Sequence, residues 1–163
     1  TRDNRIALAY ERGVPMGSDL NTTAAPRFWV WATQDPTGTP LDRIQIIKGW
    51  VENGEQRQRV WDVVCSNGRK PNESGKCPAT TASVDLSSCQ RTGGDGAREL
   101  EVTFSDPDFS AEDPAFYYAR VLENPTCRWT TVLANSGNTE LPDDVPAIVQ
   151  ERGWSSPIWS ASR

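Results

Sequence analysis

The chain has 163 residues, a formal net charge of −5, 24 % charged and 36 % hydrophobic residues, seven Trp, four Cys and no His. That length suits one domain with a sizeable core; no apolar run approaches the roughly 18 residues of a membrane span, and no basic stripe favours nucleic acid or an anionic membrane as partner. The missing His excludes Ser-His and Cys-His nucleophile systems, the common His-rich zinc sites and HExxH helices, so chemistry done by this chain alone would rest on carboxylates, Lys, Tyr, Ser or Cys.

"DNRIALAYERG" (3–13) predicts a short helix, with Asp3 as its cap, Ile6 and Tyr10 on one face and Gly13 at its end. Such a helix is too short to stand alone. The chain also starts at Thr1 instead of Met, so we expect the helix to be the tail of something preceding. "GVPMGSDL" (13–20) reads as a tight connection into the first strand; its glycine spacing, with no Lys after it, does not fit a phosphate-binding loop.

Strand patterns follow at 27–33, 43–51, 56–64, 82–88, 99–105, 115–123 and 153–159. Asn53-Gly54 signals a two-residue type I′ hairpin, which sets Ile46 opposite Trp61, Ile44 opposite Val63 and Ile47 opposite Val60. Pro157 limits the last strand to an edge or a bulge. Short strands between Gly- and Pro-rich loops predict a mainly β fold: an antiparallel immunoglobulin-like β-sandwich of about seven strands with a short N-terminal helix. Residues 1–13 are read as a residual helix or linker and 14–163 as the sandwich domain.

Cys65, Cys77, Cys89 and Cys127 allow three disulfide pairings. If successive strands reverse direction, Cys65 and Cys77 fall at one end of the body and Cys89 and Cys127 at the other, so Cys65–Cys77 and Cys89–Cys127 are the sterically easy pairs. The rival, a four-thiolate zinc site, lacks the usual close knuckle pair. A disulfide framework implies a periplasmic or extracellular protein.

Other features have two readings each. Asp106, Asp108, Glu112 and Asp113 in "SDPDFSAEDP" form a turn-rich loop or, alternatively, a calcium or paired-carboxylate site. The seven Trp are core side chains or a sugar-stacking platform; Trp29 and Trp31 share a face that we expect to be buried. Arg120, Glu123 and Arg128 near Trp129 are an ion pair with a cation–π contact or a polar site. Asn21 and Asn72 lie in N-glycosylation acceptor triplets, which matter only in a glycosylating host.

Five blocks occur in one order: "YERGVPMGSDL", "LDRIQIIKGW", "DPDF", "AFYYARVLENPTCRW" and "IVQERGWSSPIW". Together they resemble the C-terminal part of the large bacterial proteins of the domain-of-unknown-function 3604 family, over about Tyr10 to Trp159. "WSSPIW" also resembles the strand that follows metal-dependent hydrolase domains of the polymerase-and-histidinol-phosphatase (PHP) type. The family's "GGDL" stands here as Gly17-Ser18-Asp19-Leu20.

The resemblance implies the non-catalytic C-terminal end of a larger secreted PHP-like hydrolase homologue, supporting or orienting the catalytic domain. No cofactor is implied in this chain, and a divalent metal is implied only in the upstream domain, which is also the implied partner. No metal ligand or catalytic residue carries over, and the oligomeric state is left open. Ile6, Tyr10, Pro15, Met16, Asp19, Arg120, Glu123, Arg128 and Trp129 become candidates for the interface with that domain. The alternative is a stand-alone secreted carbohydrate- or ligand-binding module using exposed Trp.

Overall fold

The structure, a computed structural model, describes residues 2–94 and 96–161, and only the backbone of Arg2, Asp3 and Ala161. The capping role expected of Asp3 therefore rests on a side chain outside the described residues. The elements begin with α1 (Arg2–Arg12), β1 (Asp19–Asn21), β2 (Arg27–Thr33), β3 (Leu41–Glu52), β4 (Glu55–Cys65), β5 (Ser83–Val84) and β6 (Arg91–Thr92). They continue with β7 (Glu99–Ser105), β8 (Ala115–Glu123), β9 (Thr126–Cys127), α2 (Trp129–Gly137), β10 (Ile148–Val149), β11 (Arg152–Trp154) and β12 (Ile158–Ala161). The fold is mainly β, with several sheets and twelve strands among the described residues where about seven were expected.

The β3–β4 hairpin turns at Asn53-Gly54, whose φ angles of +52° and +79° meet the demand of a type I′ turn. Ile46 pairs with Trp61 and Ile47 with Val60, as the turn dictates. Ile44, however, faces Val64 and not Val63, because the register shifts between Ile44 and Gln45. The bulge lets Val63 and Val64 both pack against the cluster of Leu41, Ile44 and Leu100.

The largest sheet runs β1-β12-β8-β3-β4, with β11 also on β8. The last strand is divided: among the described strands β11 pairs only with β8, and β12 has neighbours on both sides. Pro157, which has no N–H for a ladder, interrupts it between β11 and β12, and β12 then lies between β8 and β1. The β1 pairing is parallel, and Gly17 seals it by donating to the Pro157 carbonyl at 2.9 Å. The segment 82–88 forms strand only at Ser83–Val84. Asp85 ends it by accepting bonds from Ser87 N–H, Ser87 O–H and Ser88 N–H, which hold its carboxyl below the usual carboxylate range.

β2 and β7 pair as a separate ribbon whose even-numbered side chains face the large sheet. Phe28 packs against Tyr117 with ring centroids 4.6 Å apart, and Phe104 against Trp61 at 5.2 Å, both pairs tilted. With Ile46, Ala115 and Ala119 they form the main core. The core side of β2 is thus Phe28, Val30 and Ala32, while Trp29 and Trp31, expected on the buried face, are half-buried on the opposite side beside α1; both faces of "RFWVWAT" are apolar.

Candidate functional site

Strand β8 carries apolar side chains on both faces. Ala115, Tyr117 and Ala119 point inward, under the β2–β7 ribbon. Phe116 and Tyr118 point outward, where no strand lies over them among the described residues. Cross-strand partners share a face, so Trp159, opposite Phe116, and Trp154, opposite Arg120, extend this outer surface. Trp154 and Trp159 are 60 % and 51 % exposed. The Phe116 and Tyr118 rings lie 6.3 Å apart and 11° from parallel, and Trp159 sits 5.2 Å from Phe116. Gly49, opposite Phe116, makes this possible: a Cβ there would come within 2.3 Å of the ring. At the other end the same face is closed and polar. Arg120 donates to Gln45 at 2.7 Å, Gln45 donates to Asp62 at 2.5 Å, and Cys77 N–H donates to Asp62 at 2.7 Å.

A second feature is a cleft of about 700 Å³ between α1, the 13–16 turn, β2 and β8. Tyr10, Pro15, Met16, Trp29 and Trp31 line it. Glu101 ties the helix to the ribbon: it accepts from Arg5 of α1 and, at 3.0 Å, from the Trp29 ring N–H.

The acidic loop is an anchor. Asp106 is buried and accepts from Lys48 at 2.6 Å, from Tyr117 O–H at 2.8 Å and from Asp108 N–H at 2.8 Å. The Lys48 ammonium also lies 5.3 Å from the Trp50 ring centroid and 5.7 Å from that of Tyr117. Burial, reinforced by the Asp106 carboxylate, pushes the Tyr117 hydroxyl well above its ordinary value. Asp108 pairs with Arg59. Asp106 is therefore spent on structure, not set in an open cleft. Asp42 plays the same part elsewhere: fully buried, it pairs with Arg43 and, at 2.5 Å, with Arg69, whose guanidinium also grips Ser66 and the Pro78 carbonyl. Among the described residues no group of three or more His, Cys, Asp and Glu is placed to hold a metal ion.

The expected interface residues do not form one patch. Tyr10, Pro15 and Met16 meet at the cleft. Ile6 is exposed on α1, and Asp19 is exposed on β1. The expected ion pair among Arg120, Glu123 and Arg128 is not formed among the described residues. Arg120 bonds Gln45, Glu123 accepts from the Thr39 N–H and O–H at 3.0 Å each, and Arg128 is the N-cap residue of α2 without a side-chain capping bond. Helix α2 replaces the expected turn, and leaves Trp129, Val132 and Leu133 exposed along one stripe. β-Branched Thr130, Thr131 and Val132 and the lack of a capping side chain hid it. Thr131 and Asn135 hold it through bonds to Ala147 and Leu86 at 2.8 Å each. Phe116 and Tyr118 were not singled out; their alternation in "AFYYARVL" was the available signal.

Both disulfides form in the pairing derived from strand direction, Cys65–Cys77 and Cys89–Cys127, with Cα separations of 5.9 and 5.6 Å. They suit an oxidising compartment, and no helix among the described residues is long and apolar enough to cross a membrane. The molecule is thus a disulfide-stapled, mainly β protein with an open aromatic sheet face. It belongs to the family described as Protein of unknown function (DUF3604), which it matches over residues 1–162. No curated protein and no solved structure matches it.

Proposed function

We propose that this chain is a non-catalytic β-domain at the C-terminal end of a larger secreted or periplasmic PHP-like metal-dependent hydrolase homologue, which it supports or orients. The observation that carries this reading is the outer face of the large sheet, where Phe116, Tyr118, Trp154 and Trp159 stand uncovered by other strands among the described residues. A strand apolar on both faces is built to be covered on both. Burying each large aromatic would contribute about 1.5–3 kcal/mol to docking. The exposed stripe of α2 offers a second contact for the same partner. In this reading residues 1–13 are the connection to the catalytic body, any divalent metal belongs to that body, and the ribbon-on-sheet stack is an immunoglobulin-like sandwich.

Two measurements test it. An antibody raised to this domain should detect, in source cells, a band several-fold larger than 18.0 kDa. Hydroxyl-radical footprinting should find Trp154 and Trp159 protected in that larger protein and reactive in the 163-residue chain. Metal-dependent phosphoesterase turnover by the purified chain alone would sink the proposal. So would equal oxidation of both Trp in the two forms. The second reading, a stand-alone carbohydrate- or ligand-binding module, draws on the same exposed Trp154 and Trp159 and gains if the band runs at the size of this chain.

A further inference from the structure

The cleft beneath α1 has the size of a small-ligand site, about 700 Å³. Trp29 and Trp31 stand two residues apart on one face of β2, so they present side by side. Trp29 is held in place, because the carboxylate that fastens α1 through Arg5 also accepts its ring N–H. Tyr10 and Met16 line the same cleft from the helix and the following turn. A rigid aromatic wall with a polarisable side chain opposite suits a flat ring.

Among the described lining residues Arg12 and Arg27 carry the charge, and the neighbouring Glu101 carboxylate is taken up by Arg5 and the Trp29 ring N–H. Neither guanidinium has an ion-pair or hydrogen-bond partner among the described residues. Both belong to exposed residues at the mouth of the cleft, in a chain whose net charge is −5. A guanidinium beside an apolar wall is a ready receptor for carboxylate, sulfate or phosphate.

We propose that this cleft binds a small anionic molecule with a flat, ring-bearing body, its ring against Trp29 and Trp31 and its anion on Arg12 and Arg27. Tyr118 borders both this cleft and the outer face of the large sheet, and variants at Arg12 and Arg27 on one hand and at Trp159 on the other tell the two roles apart.

The test uses two probes, 8-anilinonaphthalene-1-sulfonate and its uncharged counterpart N-phenyl-1-naphthylamine, with the whole chain. The sulfonate is expected to bind saturably, to quench Trp fluorescence and to weaken with salt. The double variant Arg12→Gln/Arg27→Gln should bind it at least tenfold more weakly while binding the uncharged probe unchanged, with an unaltered urea midpoint. Trp159→Ser should bind both probes as the parent chain does. Benzoate, phenyl sulfate and phenyl phosphate then serve as competitors, and the strongest identifies the anion. The proposal is overturned if the double variant keeps its affinity for the sulfonate, if Trp159→Ser abolishes binding, or if none of the three competitors displaces the probe.

Discussion

The two faces of the large sheet are made from the same strands and end in opposite situations. Inside, Tyr117, Ile46 and Trp61 are sealed by the β2–β7 ribbon, and even the polar groups there are matched: Lys48 meets Asp106, and Tyr117 donates to it. Outside, Phe116, Tyr118 and Trp159 are ordered against one another, with a glycine cleared to let Phe116 lie flat, yet no strand among the described residues covers them. Aromatic side chains supply large burial energy wherever they are covered. The difference teaches that the described residues carry more apolar sheet than their strands cover, and that the surplus is gathered on one side.

The contrast makes the inner face the seat of stability. Asp106→Ala should do the most damage, about 3–5 kcal/mol in urea denaturation, because it strands the Lys48 ammonium in the interior. A loss below about 1 kcal/mol would mean that Lys48 reaches water and that the inner face is not sealed. Next comes a matched pair on opposite faces. Ile46→Ala should cost about 2–5 kcal/mol by opening a cavity beside Phe28 and Trp61, whereas Trp159→Ser should cost about 1 kcal/mol or less, the worth of its contact with Phe116. Equal losses would erase the distinction between the faces.

The last effect is a matter of pH. The Tyr117 hydroxyl is raised in the folded chain by burial and by Asp106. Below the unfolded value of about 10 both states hold the proton, and stability is fully present. Above it the unfolded chain loses the proton while the folded chain keeps it, so stability falls as pH rises. Urea midpoints should therefore decline from about pH 10 upward. Tyr117→Phe, weaker at neutral pH by about 1–3 kcal/mol because Asp106 loses a donor, should show a shallower decline. An identical slope in both proteins would contradict the assignment.

Much of this could be read from residue order. Residues 27–33, 99–105 and 115–123 were expected as strands and form as such, because alternation and β-branched or aromatic content act locally. The Asn53-Gly54 turn and the pairs Ile46–Trp61 and Ile47–Val60 followed from backbone sterics alone, whereas the bulge that moves Ile44 from Val63 to Val64 did not. The disulfide pairing followed from strand direction. The rest lay beyond local pattern. Both sides of β2 are apolar, so periodicity could not say which would be covered; the ribbon's position over Tyr117 decided it. Helix α2 has weak propensity and is held by bonds from Thr131 and Asn135 to distant segments.

The candidate surfaces divide the same way. Tyr10, Pro15 and Met16 were singled out in the sequence, but their meeting with Trp29 and Trp31 in one cleft depends on how α1 returns over the ribbon. Composition and order determined a mainly β, disulfide-stapled chain without histidine chemistry, since each of those rests on residue type or near neighbours. Only the tertiary structure decided that Asp106 is an interior counter-ion, that Pro157 separates β11 from the interior strand β12, and that among the described residues one aromatic face lies under the ribbon while no strand covers its twin. Those outcomes depend on which distant elements arrive on each side of β8, and no local pattern encodes that.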